Sequence, residues 1–433
     1  MYIHVVESGE TLNSIAQKYN VPEIRLSLEN ELPNPNNLVV GQIIIITTPE
    51  ITYTVKEGDN LRDIAARYGV TVKELLRNNP YLSDREHLFQ GETLIIKYKK
   101  ENNHNIKTNG YAYTFIAEDT LKKTLPFLTY LSIFNYTFTD TGELIDINDS
   151  WIIQKAKDYD VAPIMVISTY TLQGTSNNVN THRVLTNQDS QRRLMDNILS
   201  MLRKKGYYGL NVSIDDILPI DQLLYFDFIS RLTNLLASEG YEIFITITSK
   251  SNDEGKIINA KELDFALLLS EITNVSILLS YEWGFTDRPP AAITPFNIQK
   301  IYYDYVVTKI SPEKVVFGLP IIGYDWQLPY SEGVTRANSL SSMSAVILAS
   351  DTRNEIFYDF ISQSPFFQYS IYVAGTNRHH LVWFRDARSV DAFIRLLPEY
   401  GFNGVGIWNI MSYFPQMWLV INSQYDIVTI EQS

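Results

Sequence analysis

The 433-residue chain has no cysteine. That excludes structural disulfides, thiolate zinc sites and cysteine nucleophiles. Histidine is scarce, at six residues, and no two of them form an HExxH arrangement. His379 and His380 are adjacent, but neighbouring side chains on an extended segment point opposite ways, so the pair is not a metal site. No metal and no cofactor are expected. Basic excess is also lacking: the formal net charge is −13, nearly all of it beyond residue 100. Such a balance fits neither nucleic acid nor an anionic membrane surface as partner. No apolar run approaches the length of a membrane span, and the opening residues lack the basic-then-apolar pattern of a signal peptide. The sequence reads as a soluble protein made without an N-terminal signal.

Aromatic residues are plentiful, with 28 Tyr, 20 Phe and 6 Trp, and 45% of the chain is hydrophobic. This suits two or three globular domains with sizeable cores. Aromatic rings also form the flat walls of sugar sites.

The first hundred residues repeat themselves. "HVVESGETLNSIAQKY" (4–19) realigns with "YTVKEGDNLRDIAARY" (53–68), and "GQIIII" (41–46) with "GETLII" (91–96). In each copy a short strand ends near Gly9 or Gly58. Thr11 or Asn60 then falls where a helix cap is wanted, and Leu12, Ile15, Ala16 and Tyr19 follow at helical spacing. A second helix is expected over 22–30 and 71–79, then Asn/Pro-rich turns and a closing apolar strand. The expected units are 2–49 and 51–97. The polar, Asn-rich stretch 98–110 reads as a linker.

These repeats resemble LysM modules. The resemblance implies binding of N-acetylglucosamine-containing glycans such as peptidoglycan or chitin. It puts the groove between the turn after strand one (Gly9, Glu10, Thr11, Leu12; Gly58, Asp59, Asn60, Leu61) and the loop after helix two (Asn30 onward; Asn79 onward). The competing reading is a small α+β domain whose Gly and Asn residues only build turns.

From 111 to 433, short apolar runs alternate with amphipathic stretches. Eight runs read as strands: 111–114, 130–136, 163–168, 209–215, 243–248, 275–280, 314–320 and 404–408. Repeating strand–helix units of this size predict an α/β fold, a (β/α)8 TIM barrel. Residues 323–384 are too many for a loop and predict a small α+β insertion. Trp383 and Trp418 read as core.

The fourth run, "GLNVSID" (209–215), alternates. Asn211, Ser213 and Asp215 share one face of the strand, and Leu210, Val212 and Ile214 the other. Asp215 falls at the C-terminal end, where such barrels hold their active sites. The bland alternative is that Asp215 caps the next helix, a task Asp216 can also perform.

"YLSIFNY", "GYYGLNVSID", "SYEWG", "VVFGLPIIGYDWQLPY", "VWFRDARSV" and "GVGIWNIMSYFPQMW" together resemble family 18 glycoside hydrolases, nearest to LysM-bearing spore cortex-lytic N-acetylglucosaminidases. That family's strand four ends in Asp-x-Glu. The Glu protonates the leaving oxygen, the substrate's acetamido group is the nucleophile, and the Asp orients that group, an exception to the two-carboxylate scheme. Carried over, Asp215 is the acid, Tyr281 the acetamido clamp and Trp408 the floor of the sugar site. Asn211 stands where near relatives have Asn. Tyr208, Ser213, Asp215 and Glu282 stand where the family has Asp, Asp, Glu and Asp. Tyr324, Asp325 and Trp326 follow strand seven as in relatives and are expected to line the groove, unless the rings pack the insertion onto the barrel.

The implied function is hydrolysis of N-acetylglucosamine linkages in spore-cortex peptidoglycan. A shortened acid and a missing Asp leave a second reading open: a weakened or inactive glycan-binding scaffold. A monomer associated with the spore or cell wall is expected, with a wall glycan as partner.

Overall fold

The computed structural model describes residues 1–430 apart from 84, 86, 101–103, 170–177, 215–216, 252–256, 259, 281–287 and 374. Eight strands form a closed parallel barrel: Asn105–Tyr113, Tyr130–Phe138, Ala162–Ser168, Gly209–Ser213, Glu242–Ser251, Val275–Ser280, Val315–Pro320 and Gly404–Trp408. Each pairs in parallel with the next, and the eighth pairs with the first. Helices return the chain between strands. Gln188–Lys205 shows how one is delimited: Asn187 accepts from the Ser190 amide at its start, and Gly206 at φ +69° ends it.

Strand alternation produces two separate cores. Leu210 and Val212 join the outer one, between barrel and helices, with Leu278, Phe317 and Val405. Tyr111, Tyr130, Val166, Phe244 and Ile277 join the inner one, which fills the barrel. Between strand seven and helix Ala387–Ile394 lies the insertion, a five-stranded antiparallel sheet with helix Ser342–Asp351. Its strands run from Ile322 to Trp383.

The linker is shorter than its composition suggests. Module two's last strand runs to Tyr98 and barrel strand one starts at Asn105. Inside that strand Asn109 faces Ser132, whose hydroxyl donates to it at 2.8 Å. A polar barrel interior at this point hides the strand from a hydrophobicity reading.

Each module is a two-stranded antiparallel sheet with two helices. Their turns are built alike. Thr11 and Asn60 cap helices Leu12–Tyr19 and Leu61–Tyr68. Glu10 accepts from the Glu7 amide and meets His4; Asp59 accepts from the Lys56 amide and from Tyr53.

Both modules dock on the barrel, through different faces. Module two offers its second helix to the N-terminal end of the barrel. Lys73 donates to the carbonyls of Leu128 and Asp160, both at 3.0 Å, and Arg77 donates to that of Pro126 at 2.9 Å. Module one lies against the insertion and helix Pro415–Gln424. Ile356 donates its amide to the Val40 carbonyl, and Gln416 donates to that of Ile43. Helix Pro415–Gln424 is consequently buried on nearly every side, with Trp418 stacked on Phe127 at 4.9 Å.

Burial pushes the Lys73 ammonium down to about 7. Its folded value then lies below that of the unfolded chain, so the unfolded chain binds more protons between about pH 7 and pH 10.5. Stability should rise across that window. Thermal melts of the parent and of Lys73→Met check this: the rise attributable to Lys73 should vanish in the variant.

Candidate active site

Strand four carries Asn211 and Ser213 into the barrel. Asn211 is fully buried. Its amide donates to the Tyr111 hydroxyl at 2.9 Å, and the Thr246 hydroxyl donates to its carbonyl at 2.9 Å. Tyr111 and Thr246 are themselves 2.9 Å apart, closing a triangle across strands one, four and five. Such a network holds Asn211 in one orientation. Tyr111→Phe should leave a buried partner unpaired and cost about 1–3 kcal/mol. A lowered melting temperature would register it.

Ser213 lies at the C-terminal end of strand four, 7% exposed and in register with Ser168 on strand three. Asn135, on strand two, donates to the Ser168 hydroxyl at 2.9 Å. The Ser213, Ser168 and Asn135 side chains are uncharged. Tyr208 stands at the other end of strand four, where its hydroxyl donates to Glu242 at 3.1 Å. Burial and that carboxylate push the Tyr208 phenol up to about 12, so it stays protonated at neutral pH.

Trp408 ends strand eight and is half-buried. Tyr111 lies 5.0 Å and Phe134 5.3 Å from it, ring centre to ring centre. Two aromatic walls therefore fix its plane beside the interior that Asn211 faces. Asp215, Tyr281 and Glu282 lie outside the described residues.

The insertion residues meet their expected role poorly. Trp326 is fully buried, and its indole donates to the Arg288 carbonyl at 2.9 Å. No face of that ring is open to a sugar: it packs the insertion, with Ile293, Ala337 and Tyr324. Asp325 is buried too. Tyr369 donates to one of its oxygens at 2.7 Å, and His380 meets the other at 3.0 Å. Both oxygens are thus engaged inside the insertion. Tyr324, 9% exposed, is paired across strands with half-buried Trp383.

In the modules, Asn30 and Asn79 are buried and identical in role. Each side-chain amide donates to a carbonyl of its own helix (Leu26; Leu75) and to one of the closing strand (Ile45; Ile95), and each accepts that strand's amide. Gln416 donates to the Asn30 carbonyl oxygen as well, and Tyr81 to that of Asn79, so both side chains bind helix two to the sheet with no capacity left for a glycan at those atoms. Leu12 is core, Leu61 half-buried. Gly9 and Gly58, at φ +84° and +82°, supply the turn that only glycine makes readily. The exposed residues of those turns, Thr11 and Asn60, serve as caps.

Residues 96–412 match glycosyl hydrolases family 18, and residues 4–47 and 53–97 each match the LysM domain. The chain belongs to glycosyl hydrolases family 18. Among curated family relatives, the cortical fragment-lytic enzyme of Bacillus subtilis is 31% identical over 99% of both chains. A putative sporulation-specific glycosylase of the same organism is 27% identical over 97% of this chain and 98% of its own. Among solved structures, the spore cortex-lytic enzyme SleL of Bacillus cereus superposes with a TM-score of 0.81 at 29% identity, covering 99% of each chain. This family 18 barrel and its LysM pair thus share one full-length architecture with those enzymes. Among the described residues no helix is long and apolar enough to cross a membrane.

Tyr111 and Thr246 escaped the sequence reading. Their signal was there, as polar groups at inward positions of "YAYT" and "IFITIT". What joins them to Asn211 is barrel closure, which no local pattern announces.

Proposed function

We propose that the chain holds spore-cortex peptidoglycan through its LysM modules and cleaves it in the barrel at N-acetylglucosamine linkages. The reading rests chiefly on the full-length match to cortex-lytic enzymes, with both modules and barrel in the same order.

The chemistry proposed is substrate-assisted and retaining. The acetamido oxygen of the bound N-acetylglucosamine attacks its own anomeric carbon. The bond to the leaving oxygen breaks as Asp215 gives that oxygen a proton. An oxazolinium ion forms. Water then opens it from the other face, giving its proton back to Asp215, and two inversions retain the configuration. Tyr281 holds the acetamido carbonyl, and Glu282 joins it in binding the substrate. Trp408 forms the floor under the sugar, and Asn211 is the fixed polar group beneath it. Ser213 takes the place beside the acetamido group with a hydroxyl and no charge.

One observation favours a second reading. The uncharged Ser213, Ser168 and Asn135 offer nothing negative to stabilise an oxazolinium cation, and preorganised charge is often the largest catalytic term. On that reading the barrel grips glycan with little turnover. Incubation of the purified chain with cortical peptidoglycan separates the two. New reducing ends on N-acetylglucosamine are the expected result; glycan binding without them would leave the scaffold.

A further inference from the structure

We propose that the two LysM modules divide their work: module one is a structural wedge, and module two alone presents an open glycan-binding face, formed by Tyr81, Arg85 and Phe89. The proposal rests on the glycan-binding reading above and says which copy carries it.

The internal repeat makes the comparison possible. Aligning "GQIIII" with "GETLII" pairs Gly41 with Gly91 and Val39 with Phe89. The local geometry agrees. The Val39 amide donates to Gln42 at 3.0 Å, and the Phe89 amide donates to Glu92 at 2.7 Å. Gly41 and Gly91 have φ of +84° and +89°.

The surroundings differ completely. In module one this loop is consumed by docking. Val39 is 7% exposed and packs among Ala345, Ile356 and Phe367 of the insertion. A Cβ on Gly41 would stand 1.9 Å from the Ile356 carbonyl oxygen. Asn37 donates to Ser350 at 3.2 Å. A ligand reaching the loop by this side would have to part module one from the barrel domain.

In module two the corresponding positions, Phe89 and Gly91, are open. Phe89 is 63% exposed, and nothing lies within 4 Å of a Cβ on Gly91. Module two's second helix meets the barrel domain through Lys73, Arg77 and Asn78, not through Phe89. The Arg85 guanidinium stands 5.4 Å from the Tyr81 ring centre and 5.1 Å from that of Phe89. Glu92 fixes it at 2.8 Å and cancels its charge. The result is a locally neutral, pre-ordered surface of ring faces and N–H donors. Its chemistry suits an uncharged sugar: C–H groups stack on Phe89, and hydroxyl or acetamido oxygens accept from Arg85. Little side-chain freedom remains to be lost on binding.

The test uses the full chain and insoluble peptidoglycan. Arg85→Ser with Phe89→Ser should weaken co-sedimentation at least tenfold with an unchanged melting temperature. Asn34→Ser with Asn36→Ser, on the exposed part of module one's loop, should bind as the parent does. Parental binding by the Arg85/Phe89 variant, or loss of binding in the Asn34/Asn36 variant, overturns the assignment while leaving LysM binding intact. A parent chain that fails to sediment overturns the glycan reading itself and this assignment with it. If light scattering shows that Arg85→Ser with Phe89→Ser breaks up an oligomer while wall binding persists, the face joins copies of the chain and the assignment falls.

Discussion

Asp215→Asn should abolish the release of reducing ends from cortical peptidoglycan, a loss of about a thousandfold or more. General acids contribute about 10²- to 10⁴-fold, and here the leaving group is a sugar alkoxide that cannot depart unprotonated. The amide keeps the size of the carboxyl group and removes its exchangeable acid proton, so folding and wall binding should persist. The comparison is of turnover and co-sedimentation on the same preparations. Undiminished turnover would mean that the proton comes from elsewhere. That result would dissolve the role given to strand four.

The second large effect is a gain. Ser213→Asp combined with Asp215→Glu should raise turnover on cortical glycan by about a hundredfold. Two terms add. A glutamate reaches one methylene further, and a misplacement of about 1 Å can cost on the order of 100-fold. A carboxylate at 213 supplies the charge that a developing oxazolinium ion needs, and it helps keep the neighbouring acid protonated. Position 213 is 7% exposed, so the new charge carries a desolvation cost. Some thermal stability should be lost while activity rises. If neither single nor double substitution raises turnover, the differences at these two positions do not limit the rate.

The barrel was legible because its strands are apolar runs bounded by amphipathic helices, and an outer core needs that pattern. Legibility failed where a strand faces a polar interior. Residues 105–110 read as linker because Lys107 and Asn109 break the apolar pattern, though Asn109 is buried against Ser132. In the modules, an Asn after helix two in both copies looked like a groove residue. The same recurrence follows equally from a bracing role, and the hydrogen bonds of Asn30 and Asn79 are of that kind. Trp326 illustrates the limit for aromatics. A ring after strand seven suits a sugar wall or a packing seam, and burial against residues far along the chain decided between them. The alternation of strand four, by contrast, fixed the inward face of Asn211 and Ser213 without any tertiary information. Which copy has this loop position covered and which has it exposed depends on surfaces outside the repeat, as Val39 and Phe89 demonstrate.

The most direct test of the substrate-assisted account is calorimetry with an N-acetylglucosamine thiazoline, a stable mimic of the oxazolinium ion. Analogues of such high-energy states bind about 10²-fold tighter or more than the corresponding substrate. One thiazoline should bind per chain, at least about a hundredfold more tightly than N-acetylglucosamine. Equal, weak binding of the two sugars would contradict it.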